Sequence, residues 1–206
     1  MVVDFSAIKY DEPPLLVLKN LDGTPIQPLN YAYGITAHLC YNEISELSFS
    51  LPAQVDGVTI PHYEDVVGLR IVDWIGVGQF LLVNPETVND GIREIKTCTA
   101  YSLEYEFNAK KLFLSDGTYN LWNPAAPDDT VLGIILDLMP SWSMGSIDGT
   151  LIGKYRTFSV DNQTIYDFMK GTLQETYQCV LDFDTYQRKI NVRSVESGVA
   201  IQPIYL

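Results

Sequence analysis

Residues 14 to 100 read as short extended segments separated by turn chemistry, and beyond Tyr101 the apolar period changes from two to 3.6. That switch restricts the chain to a β-rich part followed by an α+β part. In Leu47-Ser48-Phe49-Ser50-Leu51 apolar residues alternate with hydroxyls, which puts Leu47, Phe49 and Leu51 on one sheet face. Leu15 to Lys19, Thr36 to Tyr41 and Glu46 to Leu51 predict strands, the first running into the turn Asn20-Leu21-Asp22-Gly23-Thr24-Pro25. Gly68 to Trp74 and Gln79 to Val83 predict a hairpin around the break Gly76-Val77-Gly78. Asn89-Asp90-Gly91 then offers a tight turn into a strand over Ile92 to Ala100.

After Tyr101, Ser102 to Lys111 predicts a short helix. Asp128 or Asp129 is placed to cap the next one, with Val131, Ile134, Ile135 and Leu138 as its apolar stripe and Pro140 as its stop. Asp161 or Asn162 is placed to cap a third, over Gln163 to Tyr177, with Ile165, Phe168, Met169 and Leu173 inward. Strands over Cys179 to Asp184 and Arg188 to Arg193 follow, joined by a hairpin turn. The fold class expected is α+β, with a β-rich domain over 1–105, a strongly bent antiparallel sheet or partial barrel, and an α+β domain over 106–206 packed against it.

Of the 206 residues 47% are apolar and only 19% charged, which excludes intrinsic disorder. The net charge of −13 opposes sequence-independent binding to phosphate backbones. The apolar stretch Val131 to Met139 is far below the ~20 residues of a membrane helix, so no membrane anchor is expected. Met1 to Tyr10 lacks the basic start and apolar core of a secretory signal. Cys40, Cys98 and Cys179 are widely spaced and odd in number, as expected of small buried hydrophobes in a reducing cytoplasm. The apolar ending Ile201-Gln202-Pro203-Ile204-Tyr205-Leu206 suggests a fragment, or a partner element supplied elsewhere.

Material for catalysis is scarce. His38 and His62 are the two histidines, which leaves almost no material for a Ser/His/Asp triad or a histidine-rich metal site. Gly145-Ser146-Ile147-Asp148-Gly149 lacks the spacing of a nucleophile elbow and reads as a turn. Gly76-Val77-Gly78 has neither the lysine nor the helix start of a phosphate loop. Asp182 and Asp184 share a strand face and could hold a divalent ion or act in acid/base work, but an exposed hairpin mouth is an ordinary place for Asp. Glu104 and Glu106 on a helix would point apart. Trp74, Trp122 and Trp142 show no spacing that makes a sugar-stacking platform. Asn162-Gln163-Thr164 fits a glycosylation sequon but coincides with the expected helix cap. No catalytic, cofactor-binding or metal residue is therefore assigned, and no cofactor is expected.

A succession of segments carries a resemblance instead. Gly78-Gln79-Phe80-Leu81-Leu82-Val83, the run Glu94 to Phe107, Phe158 to Met169, and Phe183-Asp184 followed by Arg188-Lys189-Ile190-Asn191-Val192 resemble the amino-terminal region of tail-tip hub proteins of long-tailed phages. These are the phage minor structural, prophage endopeptidase tail or tail-associated lysin proteins. The resemblance implies a baseplate-hub-like fold, a β-rich tube-like partial barrel decorated by an α+β domain, assembled as a trimeric ring beneath the distal tail protein. It implies a virion protein of the tail tip, present in the host cytoplasm during assembly, that closes the tail tube and lets DNA pass without specific binding. Lytic activity in such proteins belongs to a carboxy-terminal extension, so this chain is expected not to be an enzyme.

The alternative class is a cell-wall hydrolase using Asp182, Asp184 or Glu104, or a carbohydrate-binding module. A host-receptor binder is a third reading and would need exposed aromatic clusters. In a ring traversed by DNA, part of the acidic excess is expected to line the channel.

Overall fold

The computed structural model describes residues 2–3, 15–89, 91 and 93–195. Most of Met1 to Tyr10, Asp90 and Ile92 of the expected hairpin turn, and the apolar ending Ile201 to Leu206 lie outside the described residues. The chain divides into two compact units, Met1–Glu106 and Phe107–Leu206. Its composition is mixed, mostly strand with some helix.

The first unit holds β1 (Val2–Val3), β2 (Leu16–Lys19), β3 (Pro25–Pro28), β4 (Tyr33–Cys40), β5 (Glu46–Pro52), β6 (Gln54–Val55), β7 (Val58–Thr59), β8 (Ile71–Trp74), β9 (Gly78–Asn89) and β10 (Glu94–Ser102). Eight of these form one sheet in the order β1-β4-β5-β10-β9-β8-β2-β3, with every ladder antiparallel. Among the described residues the terminal strands β1 and β3 do not pair, so the sheet is not a closed barrel. The alternation in β5 does what its period requires: Leu47, Phe49 and Leu51 are buried while Ser48 and Ser50 are not. They join Leu16, Leu18, Val72, Phe80, Leu82, Cys98 and Ala100 in one core. The expected hairpin is β8–β9, turning through Gly76 at φ 84°. A second hairpin, β6–β7, turns through Asp56-Gly57 with both residues at positive φ.

At Ser102 the strand ends, and a 3₁₀ segment, Leu103–Ala109, replaces the expected helix over Ser102 to Lys111. In the second unit β11 (Lys111–Asn120) pairs antiparallel with β13 (Tyr155–Thr164), a ladder with two register shifts that its sequence did not announce. Helix α1 is Val131–Leu138, ending before Pro140 as expected. Its cap is Thr130, whose hydroxyl accepts from Gly133 N–H at 3.0 Å, whereas Asp128 and Asp129 belong to a preceding 3₁₀ turn, Pro127–Asp129. The buried face is also rotated from the expected stripe. Val131, Leu132, Gly133 and Ile135 are buried, whereas Leu138 is 38% exposed. A Cβ on Gly133 would stand 1.9 Å from the Pro127 carbonyl oxygen, so the missing side chain lets the 3₁₀ turn lie against the first turn of α1.

The helix over 165–177 is capped by Thr164, not by Asp161 or Asn162, because β13 runs on through those positions. Thr164 Oγ1 accepts from Asp167 N–H at 3.1 Å. A π segment, Phe168–Leu173, interrupts this helix, and Ile165, Phe168, Met169 and Leu173 are buried as their spacing predicts. Tyr177 closes the helix, its hydroxyl donating to Tyr119 O at 2.9 Å. Phe158 lies between its aromatic neighbours Phe168 and Tyr177, at 5.5 and 5.7 Å between centroids.

Strands β14 (Cys179–Asp184) and β15 (Lys189–Ser194) form the expected hairpin. Gly145 to Ile147, read as part of a turn, instead belong to β12 (Ser143–Ile147), which pairs parallel with β15. Asn191 holds it there: its Oδ1 accepts from Ser146 N–H at 2.8 Å and from Ser146 Oγ at 2.9 Å.

Candidate functional site

Most of the residues that could have carried chemistry have a local partner. His38 lies on exposed β4 opposite Glu46. His62 caps the 3₁₀ turn Tyr63–Asp65 with φ 59°, its Nδ1 2.7 Å from Asp65 Oδ2. Glu104 is buried and accepts from the Ser102 hydroxyl at 2.7 Å, and that hydroxyl in turn accepts from Ser45 N–H at 2.8 Å. This chain of bonds braces the end of β10. Asp182 pairs with Arg193 at 3.1 Å on the surface. Asp184 turns its Oδ1 to the amides of Tyr186 and Gln187, the capping contacts of its own hairpin. The two carboxylates of β14 are thus engaged separately, and among the described residues no group of three or more His, Cys, Asp and Glu could hold a metal ion.

The cysteines are free thiols. Burial pushes Cys98 up to about 12 and Cys179 up to about 11, so neither is a thiolate near neutral pH. Trp74 and Trp142 are buried, and Trp142 packs on Phe107 and Phe183. Two shallow cavities of about 200 and 270 Å³ share Tyr31, Ile60 and Pro61, with Asp56 the one acid between them. Among the described residues no helix is long and apolar enough to cross a membrane.

The most regular surface is the side of the sheet away from the core. Residues directly opposite across a ladder share a face, and the register builds three rows there. One row is His38, Glu46, Tyr101 and Leu81, running on through Ile71 to Lys19; the next is Thr36, Ser48, Thr99 and Val83; the third is Tyr33, Ser50, Thr97 and Glu86. These side chains are exposed or half-buried except Leu81 and Ile71, which are buried. The Ser48 hydroxyl donates to Glu46 Oε1 at 3.4 Å along the face. Lys19, ion-paired with Asp73, ends the first row, and a further row of Pro52, Ile95 and Val88 is apolar. The Ser alternation of β5 signalled this face; the matching Thr97 and Thr99 became part of it only through pairing.

No family model matches the sequence, and no curated protein shows significant sequence similarity to it. Solved structures do match. Prophage tail protein gp18 from Listeria monocytogenes EGD-e aligns with a TM-score of 0.65 at 14% identity, over 94% of this chain and 54% of that one. The 43 kDa tail protein of prophage MuSo2 from Shewanella oneidensis aligns at 0.58 and 13% identity, over 86% of this chain and 53% of that one. A tail protein from Neisseria meningitidis MC58 aligns at 0.55 and 7% identity, over 88% and 50%. The chain spans about half the length of these structures, and its α+β fold is one that phage and prophage tail proteins share.

Proposed function

We propose that this chain is a structural, non-enzymatic component of a phage or prophage tail. The observation that carries the reading is the agreement in fold with three tail proteins from three bacteria, each over at least 86% of this chain. Within the tail, the chain acts as part of the tip, a baseplate hub whose β-rich unit forms a tube-like partial barrel. It works as a threefold ring beneath the distal tail protein, closing the tube and opening for DNA. Heterologous contacts are what a closed ring of identical chains requires, and exposed apolar side chains such as Tyr31, Tyr33 and Leu69 supply surface for them. Engagement of Asp182, Asp184 and Glu104 in local bonds supports a non-catalytic role.

The test is deletion and complementation of the gene in an inducible phage or prophage. Particles without the chain should have aborted or tipless tails by negative-stain microscopy, and antibody should decorate the tip of complemented particles. Normal tails in the deletion would defeat the reading. Lytic bands from the purified chain on peptidoglycan would favour a cell-wall hydrolase instead.

A further inference from the structure

The sequence contains five Asp-Gly pairs, at Asp22, Asp56, Asp90, Asp116 and Asp148. In such a pair the glycine amide can attack the neighbouring carboxyl, because no side chain on the glycine shields its nitrogen. Both groups must be free for this. A carboxyl held by hydrogen bonds cannot swing round, and an amide that donates elsewhere has to break that bond first.

Four of the five pairs are obstructed. Asp22 Oδ1 accepts from Thr24 N–H at 2.9 Å and from the Thr24 hydroxyl at 2.6 Å, and Gly23 N–H donates to Asn20 O at 2.9 Å. The Thr24 bonds also hold the Asp22 carboxyl below the ordinary aspartate range, against the protonated form that loses water. Asp148 Oδ1 is held in the same way by Thr150, from its N–H at 3.0 Å and its hydroxyl at 2.9 Å. Gly91 N–H donates to Asn89 Oδ1 at 2.8 Å. Gly117 lies within β11 opposite Phe158, where a Cβ would stand 3.5 Å from the ring of Tyr119.

Asp56-Gly57 differs on each count. It is the turn of the β6–β7 hairpin, with both residues exposed and at positive φ, 52° and 76°. Among the described residues neither the Asp56 carboxylate nor Gly57 N–H forms a hydrogen bond, and nothing lies within 4 Å of where a Cβ on Gly57 would stand.

We propose that the Asp56-Gly57 turn is a modification site, where Asp56 isomerises to isoaspartate and the exposed product becomes a substrate for a carboxyl-methylating repair enzyme. The Gly57 nitrogen bonds to the protonated Asp56 Cγ and gives up its proton, and the carboxyl hydroxyl leaves with that proton as water. Water then adds back to the cyclic succinimide. Addition at Cγ restores aspartate, whereas addition at the main-chain carbonyl breaks its bond to nitrogen and yields isoaspartate with a free α-carboxyl. One water leaves and one enters, so mass is unchanged. The main chain now runs through the extra methylene of Asp56. A hairpin of two pairs, Gln54 with Thr59 and Val55 with Val58, has a turn with no room for it. Its unpairing displaces Val58 and Thr59 from the cavity beside Tyr31. The inference stands apart from the tail reading.

The experiment ages the purified full chain, folded, in mildly acidic buffer for weeks. Peptide mapping with electron-transfer fragmentation then locates isoaspartate, and an isoaspartyl O-methyltransferase with labelled S-adenosylmethionine reports the α-carboxyl. Isoaspartate at position 56 should exceed that at 22 and 148 by at least about tenfold, since the Thr24 and Thr150 bonds must break before attack there. Ageing in urea should remove most of that preference. Asp56→Glu, whose longer side chain cyclises far more slowly, should bring methyl incorporation by the folded chain close to background. Isoaspartate at 56 no higher than at 22 and 148 in the folded chain overturns the proposal. An equal preference in urea would place its cause in local sequence and overturns the structural argument, and an isoaspartate at 56 that accepts no methyl group overturns the assignment as an enzyme substrate.

Discussion

The ammonium of Lys96 donates to the carbonyl oxygen of Tyr63 at 2.8 Å and lies 4.3 Å from the centroid of the same residue's ring. A second bond, to Val66 O at 3.1 Å, ties both ends of the Tyr63–Asp65 turn to β10. Lys96 is 6% exposed, on the core side between Leu51 and Thr87. Lys96→Met keeps the apolar stem but strands two carbonyls, and should lower unfolding free energy by about 2–4 kcal/mol. Urea denaturation measures this; a loss below about 0.5 kcal/mol would show that the turn stands without the lysine.

Two glycines separate backbone from side-chain obstruction. Gly133→Ala drives a methyl into the Pro127 carbonyl, which cannot move without breaking the Pro127–Asp129 turn. A loss of about 3 kcal/mol or more is expected. Gly145→Ala meets Asn191 Oδ1 at 2.3 Å, and Asn191 can rotate away at the cost of its two bonds from Ser146. The expected loss is about 1–2 kcal/mol. Thermal unfolding of both variants should show the first shifted much further than the second.

Capping gives a third test. Thr130→Ala should cost about 1 kcal/mol, because Gly133 N–H loses its acceptor. Asp128→Ala and Asp129→Ala, both exposed, should stay within about 0.5 kcal/mol. Equal losses at all three positions would contradict the cap.

Alkaline pH should destabilise the fold. The thiols of Cys98 and Cys179 ordinarily titrate near 9.0, but burial raises them to about 12 and about 11 in the folded chain. Burial likewise raises Tyr63 to about 12 and pushes Tyr177 up. The folded chain thus keeps protons that the unfolded chain releases, so stability is full below about pH 9 and falls as pH climbs toward 11 and 12. The urea midpoint should be lower at about pH 10.5 than at about pH 8. Cys98→Ala with Cys179→Ala should flatten the decline, and a midpoint equal at both pH values would refute it.

What the amino-acid order determined by itself was whatever repeats within one element. Leu47, Phe49 and Leu51 declared their strand through a period of two, and Ile165, Phe168, Met169 and Leu173 declared their helix through 3.6. The change of period at Tyr101 falls close to the division after Glu106. Tertiary structure decided everything that depends on a distant partner. Gly145-Ser146-Ile147 has the local chemistry of a turn and becomes a strand because Asn191, 46 residues beyond Gly145, receives it. Asp161 and Asn162 are good caps in isolation, yet pairing with β11 carries β13 past them and hands the cap to Thr164. Lys96 lies in a period-two segment that marks its face but not its burial; the carbonyls that satisfy it come from residues 30 and 33 positions away. The hydroxylated face exists only because register aligns Ser48 and Ser50 with Thr99 and Thr97. Periodicity is a property of consecutive residues, whereas register and burial depend on which segments meet, and hydrogen bonds between remote residues settle that only once the chain has closed on itself.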